Sequence, residues 1–266
     1  MNILEVENLS ITYDREKSAV DHVSFSVPDH SIICLVGESG SGKSTVLHGI
    51  MGLLPRSALV KGKVTLFGQD MIKAKKSRLN QMRGKDIAVI FQDTGRYMNP
   101  ISTIGAQYRE FLRQHGKYSK QECRDLAAEV LRRVHLQEPE RVLDSYPFEL
   151  SGGMRQRVGI AMAITLNPKI LFADEPTSAL DVTVQAQVIR QMMNLRTKYG
   201  TSIIMVTHNM GVAAYMADYI GVMQNGKLVE WGTAPEVIHN PKQEYTRNLL
   251  AAIVEMDDER LILSCG

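Results

Sequence analysis

The residues best suited to chemistry begin at Gly37-Glu38-Ser39-Gly40-Ser41-Gly42-Lys43-Ser44: a glycine, four residues, then Gly-Lys and a hydroxyl residue. Glycines at 37, 40 and 42 let the backbone curl with its N–H groups turned inward and no Cβ in the way. Such a loop attracts anions, and a helix that follows it adds unpaired N–H groups and the positive end of its dipole. Lys43 offers a positive charge to the outer phosphates of a nucleotide. The Ser44 hydroxyl is an oxygen ligand of the kind a hard cation such as Mg2+ takes. Ile32 to Val36 form an apolar run fit for a strand buried on both faces, and Val46, Leu47, Ile50 and Leu54 predict a helix over 45–54. A strand before the motif and a helix after it distinguish a phosphate site from a plain Gly/Ser turn.

Other groups suit the same chemistry. Ile170 to Ala173 read as a buried strand that delivers Asp174 and Glu175 at its C-terminal end, where ligands of parallel sheets bind. One carboxylate there can hold Mg2+ through water while the other orients an attacking water. Ser151-Gly152-Gly153 opens a helix and makes a second anion site, although Ser-Gly-Gly alone is a common helix start. Gln92 ends a short strand over 87–91. His208 follows a strand over 202–206; a lone histidine there is more often structural than catalytic. Tyr13 ends the first strand, where its ring either stacks on a flat base or caps the core edge.

The elements that must hold these groups alternate strand and helix, which predicts an α/β fold with a mostly parallel sheet. Leu4 to Ile11, Val23 to Val27 and Lys61 to Phe67 add an antiparallel β subdomain, with residues 14–19 linking its first two strands. From Asp93 the chain turns mostly helical, with a capping box at Ser119 and Glu122. With the helix after Ser151 this insertion runs to about residue 165. An amphipathic helix covers 183–199, closed by Gly200. Asn225-Gly226 predicts a tight hairpin, Thr233 and Glu236 cap another helix, and a last helix spans 245–254. Residues 255–266 read as a tail on a single domain of 1–254.

Composition narrows the class. With 266 residues, 44% of them hydrophobic, the chain can bury an ample core. A net charge of +2 gives no electrostatic case for nucleic acid. No apolar run reaches the ~18 residues of a spanning helix. Cys34, Cys123 and Cys265 are scattered and odd in number, which points to a reducing, cytoplasmic setting. The basic stretch from Lys73 to Lys85 reads as a solvated helix face.

Taken in order, the phosphate loop, Gln92, Leu150-Ser151-Gly152-Gly153-Met154-Arg155-Gln156-Arg157, Asp174-Glu175 and His208 resemble the ATP-binding subunit of an ABC transporter over nearly the whole chain. Other phosphate-loop enzymes do not carry the Ser151 stretch. With Asn99-Pro100, Tyr146 to Arg157, Ala173 to Gln187 and Tyr245-Thr246, the likeness narrows to importers of oligopeptides, dipeptides or nickel. The resemblance implies a P-loop ATPase using ATP and Mg2+. Tyr13 would stack on adenine, and Gly37, Glu38, Ser39, Gly40, Ser41, Gly42, Lys43, Ser44 and Thr45 would bind phosphates. Ser44 and Gln92 would ligate Mg2+, with Asp174 in its outer sphere. Glu175 would polarise water, and His208 would contact the terminal phosphate. Ser151, Gly152, Gly153 and Gln156 would reach ATP held by a second ATP-binding subunit, identical or related, with Ser178 to Asp181 lining the interface.

The same likeness implies membrane permease subunits docked on the insertion, an extracytoplasmic substrate-binding protein, and a place on the cytoplasmic face of the membrane. Thr94 to Met98 depart from the family pattern, which has a proline after Asp93, and only Cys265 stands where peptide-type members cluster cysteines. A soluble ABC ATPase acting on nucleic acid or ribosomes is the alternative; it lacks support because such proteins carry two fused cassettes or a long coiled coil. A small-molecule kinase would leave Ser151 to Gln156 unexplained.

Overall fold

The computed structural model describes residues 1–13, 18–178 and 180–251, and only the backbone of Lys76. In chain order the first elements are β1 (Asn2–Thr12), β2 (Ser18–Pro28), β3 (Ile32–Val36), α1 (Lys43–Ile50), β4 (Leu59–Leu66), β5 (Gln69–Asp70), α2 (Lys76–Met82) and β6 (Ile87–Ile90). Then come α3 (Ile104–His115), α4 (Lys120–Arg133), α5 (Pro139–Asp144), α6 (Gly152–Ile164), β7 (Ile170–Asp174) and α7 (Val182–Tyr199). The last are β8 (Ser202–Thr207), α8 (Met210–Met216), β9 (Tyr219–Gln224), β10 (Lys227–Thr233) and α9 (Ala234–His239), with a further helix over 244–251. The predicted tail, Cys265 and the end of the last predicted helix lie outside the described residues, as does most of the β1–β2 link.

The chain divides into two compact units. One comprises the described residues of Met1–Lys75 and Ile204–Gly266, the other Lys76–Ile203. The first holds a sheet in the order β2-β1-β4-β5, antiparallel throughout. In β1, Leu4 and Val6, then Leu9 and Ile11, are buried around half-buried Glu5 and Ser10, period-two pairs separated by a register shift between Val6 and Leu9. A second sheet in this unit runs β10-β9-β3-β8, with β3 parallel to β9 and β9 antiparallel to β10 across the Asn225-Gly226 hairpin. All five residues of β3 are buried, so the strand that leads into the phosphate loop is locked on both faces. Trp231 packs between Phe25 and Tyr219.

In the second unit the sheet order is β8-β7-β6, with β6 parallel to β7. β8 begins in this unit and ends in the other. β7 is buried along its whole length. Helices α3, α4, α5 and α6 lie within residues 93–165, and the Ser119–Glu122 capping box is present in full. Tyr108 is fully buried there, its hydroxyl 3.1 Å from Thr165 Oγ1. Among the described residues no helix is long and apolar enough to cross a membrane.

Candidate active site

In the first unit the loop after β3 takes the backbone shape its glycines predict. Gly37 and Gly42 have φ of 149° and 99°, and a Cβ on either would fall 2.2 Å from Met223 O and 2.6 Å from Ala19 O. No L side chain fits at either place. Helix α1 starts at Lys43, earlier than the residue pattern predicts, and stops at Ile50, because the chain turns at Gly52 (φ 63°). The Lys43 ammonium bends back into the loop, 2.8 Å from Gly37 O, 2.7 Å from Glu38 O and 3.3 Å from Ser41 Oγ. It is only 4% exposed. Glu38, Ser39 and Gly40 are exposed at the crest of the loop, while Ser44 and Thr45 are half-buried in the first turn of α1.

Tyr245 completes this loop, and nothing in the residue pattern singles it out for that. The Glu38 N–H donates to its hydroxyl at 3.0 Å. The peptide group between Gly37 and Glu38 is therefore held at both ends, by Lys43 on its oxygen and Tyr245 on its nitrogen. Tyr245 is set in turn by Glu230 of β10, whose carboxylate accepts the N–H groups of Lys242 (2.7 Å) and Gln243 (3.2 Å) and the Thr246 hydroxyl. Burial pushes the Glu230 pKa up, but these donors outweigh it and hold the carboxyl below the usual glutamate range. His208 follows β8, which neighbours β3, and is exposed. Tyr13 is half-buried immediately after β1.

In the second unit Asp174 ends β7 and is buried, at 6% exposure. Glu175 follows in a left-handed conformation with φ of 44°, which costs of order 1–3 kcal/mol for a residue with a side chain. Surrounding bonds hold it there: the Ser178 N–H and hydroxyl donate to Glu175 O at 3.3 and 3.1 Å. Gln92 is exposed, and its Nε2 donates to Glu175 Oε2 at 3.2 Å, so the structure brings these two predicted residues together. Ser151 caps α6, its Oγ accepting the Met154 N–H. Gly152 is exposed and Gly153 half-buried in the first turn. A Cβ on Gly152 would meet nothing closer than 4.0 Å, and one on Gly153 only Leu180 Cδ2 at 3.5 Å.

The first unit thus holds an inward-curled loop with a lysine, and the second a helix start bare at Gly152 and Gly153 and a carboxylate–amide pair after a buried strand. The ABC transporter family model matches residues 20–178. This chain belongs to the ABC transporter family. It is an ATPase cassette with the P-loop α/β fold. It is 42% identical to the oligopeptide transport ATP-binding protein OppD of Bacillus subtilis, over 96% of this chain and 73% of that protein. With the peptidoglycan transport ATP-binding protein YejF of Agrobacterium fabrum it shares 45% identity over 94% of its own length, but it spans only 47% of that relative. The dimeric ATP-binding cassette MJ0796, in a post-hydrolysis state bound to ADP and Pi, aligns with a TM-score of 0.79 at 28% identity, over 87% of this chain and 98% of that one. CbiO1 of Clostridium perfringens, part of the ABC transporter complex cbiONQ, aligns at 0.73 and 25% identity, over 90% and 91%.

Within this ABC cassette one predicted contact takes a different form. Gln156 is expected to reach a nucleotide, yet it is 2% exposed and its amide is engaged by three backbone groups of its own unit. Both Nε2 protons and one Oε1 lone pair are thus spent within the chain, and burial keeps the amide from the surface. Asp181 is exposed, and its carboxylate caps α7 by accepting the Val184 N–H at 3.0 Å. Among the described residues no cluster of three or more histidine, cysteine or acidic side chains could hold a metal by itself. Of the two buried cysteines, burial pushes the Cys34 thiol strongly up, so it is no nucleophile.

Proposed function

We propose that this chain is the ATP-hydrolysing subunit of an importer for peptides, working on the cytoplasmic face of the membrane. The observation that carries the reading is the bare start of α6. Glycine in a helix costs about 0.5–1 kcal/mol relative to alanine. Gly37 and Gly42 have reasons within the chain for lacking a side chain; Gly152 and Gly153 have none. A helix start beside Ser151 with no Cβ on its first two residues suits an anion that arrives from outside. A second ATP-binding subunit, its phosphate loop loaded, brings such an anion.

In this reading residues 1–254 act as one nucleotide-binding domain. Tyr13 stacks on the base, and Gly37 to Thr45 cradle the phosphates. Lys43 swings from its own carbonyls to the ATP oxygens, which replace those partners. Hydroxyl, amide and carboxylate oxygens are donors that Mg2+ takes, and in this reading Ser44, Gln92 and Asp174 would supply them. Bound there, Mg2+ neutralises charge on the phosphate oxygens. Glu175 leaves Gln92 Nε2, accepts a hydrogen bond from water and turns its lone pair toward the γ-phosphorus. The new P–O bond forms as the bond to the ADP oxygen breaks, and the water's proton passes by way of Glu175 to the released phosphate, giving ADP and phosphate. His208 donates to the terminal phosphate. ATP favours the closed pair because both subunits touch it, and its cleavage removes that preference.

The printed names of the relatives favour peptides over nickel as cargo, OppD being an oligopeptide transport protein. Permease subunits and a substrate-binding protein complete the machine. Phosphate release in the absence of any acceptor tests the chemistry. Glu175→Gln is expected to keep ATP affinity and lose turnover, and Lys43→Ala to lose most affinity. Wild-type turnover in the first variant, or an unchanged ATP Kd in the second, would overturn these assignments.

A further inference from the structure

We infer that Gln156 is a positioning residue that sets Gln92 against Glu175 and ties that pair to the start of α6; this rests on the catalytic reading above. Its Nε2 donates to Phe91 O at 3.1 Å and to Pro176 O at 2.9 Å, and its Oε1 accepts the Thr94 N–H at 3.1 Å. Phe91 O and Thr94 N–H bracket Gln92 and Asp93, so both ends of that two-residue stretch hang on one amide. Pro176 is the next residue after Glu175, whose left-handed backbone needs holding. A single side chain thus fixes the backbone beside each member of the Gln92–Glu175 hydrogen bond. Gln156 is almost wholly screened from water, so its loss breaks three bonds at once, although Phe91 O keeps the Thr94 hydroxyl as a donor at 3.2 Å.

Gln156 also sits in the second turn of α6, which begins at Gly152. Five residues of helix separate it from Ser151, about 7.5 Å of nearly rigid rise. A shift at Ser151-Gly152-Gly153 therefore moves Gln156, and with it Phe91, Thr94 and Pro176. When the partner subunit's ATP docks on this helix start, the displacement reaches this subunit's own Gln92 and Glu175. Each ATP is in this way read by the catalytic pair of the subunit opposite. Arg155 and Arg157 flank Gln156 but bond to Leu150 O and His135 O, so neither duplicates the link.

The test uses the full chain with Gln156→Leu and with Gln156→Glu, which keeps the shape and the acceptor for Thr94 N–H but loses both donors. A positioning role predicts that kcat falls about ten- to a hundredfold in both, with the ATP Kd within about twofold of wild type. ATP-dependent pairing of Gln156→Leu in a Glu175→Gln background is expected to match that of Glu175→Gln alone. If Gln156→Leu fails to fold, Gln156→Glu decides. A kcat within about twofold of wild type, or loss of affinity in step with kcat in both variants, overturns the inference. If Gln156→Leu keeps kcat while Glu175→Gln abolishes turnover, the link is wrong and the catalytic reading stands. If Glu175→Gln also turns over, the reading beneath it fails.

Discussion

Replacing Gly153 by alanine separates folding from function. In the chain itself the new methyl meets only Leu180 Cδ2, at an ordinary 3.5 Å, and the site is helical, so no backbone strain arises. Alanine is favoured over glycine in a helix by about 0.5–1 kcal/mol. For a chain of this size that raises Tm by about 1–4 °C. The same methyl stands over N–H groups that a partner's phosphate must approach. Displacing that anion by about 1 Å is worth a hundredfold or so in rate. Thermal melts without nucleotide, paired with phosphate release at saturating Mg-ATP, read both effects on one preparation. The expected result is a protein that melts at or above the wild-type temperature and has lost at least about 99% of its turnover. A Gly153→Ala chain that melts normally and turns over within about threefold of wild type would refute the reasoning, because the bare helix start would then serve no incoming ligand.

Two further perturbations probe the loop. Tyr245→Phe removes one hydrogen bond to Glu38 N–H, worth about 0.5–1.5 kcal/mol, so the ATP Kd is expected to rise about two- to tenfold with little change in Tm; an unchanged Kd in a calorimetric titration would deny Tyr245 its part in shaping the loop. The Glu230 carboxyl has a folded pKa below its unfolded value, about 4.3. Its contribution is therefore present above that pH and lost as pH falls through the folded value. Glu230→Gln should melt below wild type at pH 7, and the gap should narrow as pH falls below about 4.3. A gap that stays constant or widens on acidification contradicts this.

Much of the molecule was legible because the signals are local. β3 and β7 are unbroken apolar runs, and they prove buried at every residue. The capping boxes at Ser119 and Thr233 require only the third residue on, and both form. The phosphate loop is eight consecutive residues, in which Gly37 and Gly42 leave room that a Cβ would take from a backbone oxygen. What stayed hidden depends on distant backbone. Nothing near Gln156 says that its amide will meet carbonyls 65 and 20 residues away, so a motif position looked like a ligand contact. Tyr245 bonds a residue 207 positions earlier, a pairing no periodicity encodes. The first turn of α1 begins at Lys43 because the left-handed Gly42 caps it, a backbone property that apolar spacing does not carry.

Light scattering of the Glu175→Gln chain, alone and with any cassette that co-purifies in its membrane complex, tests most directly whether two cassettes close on shared ATP. Saturating Mg-ATP is predicted to double the mass, and Gly153→Ala in the same background to abolish the doubling. A mass of one chain in every mixture, with ATP bound, would contradict the account.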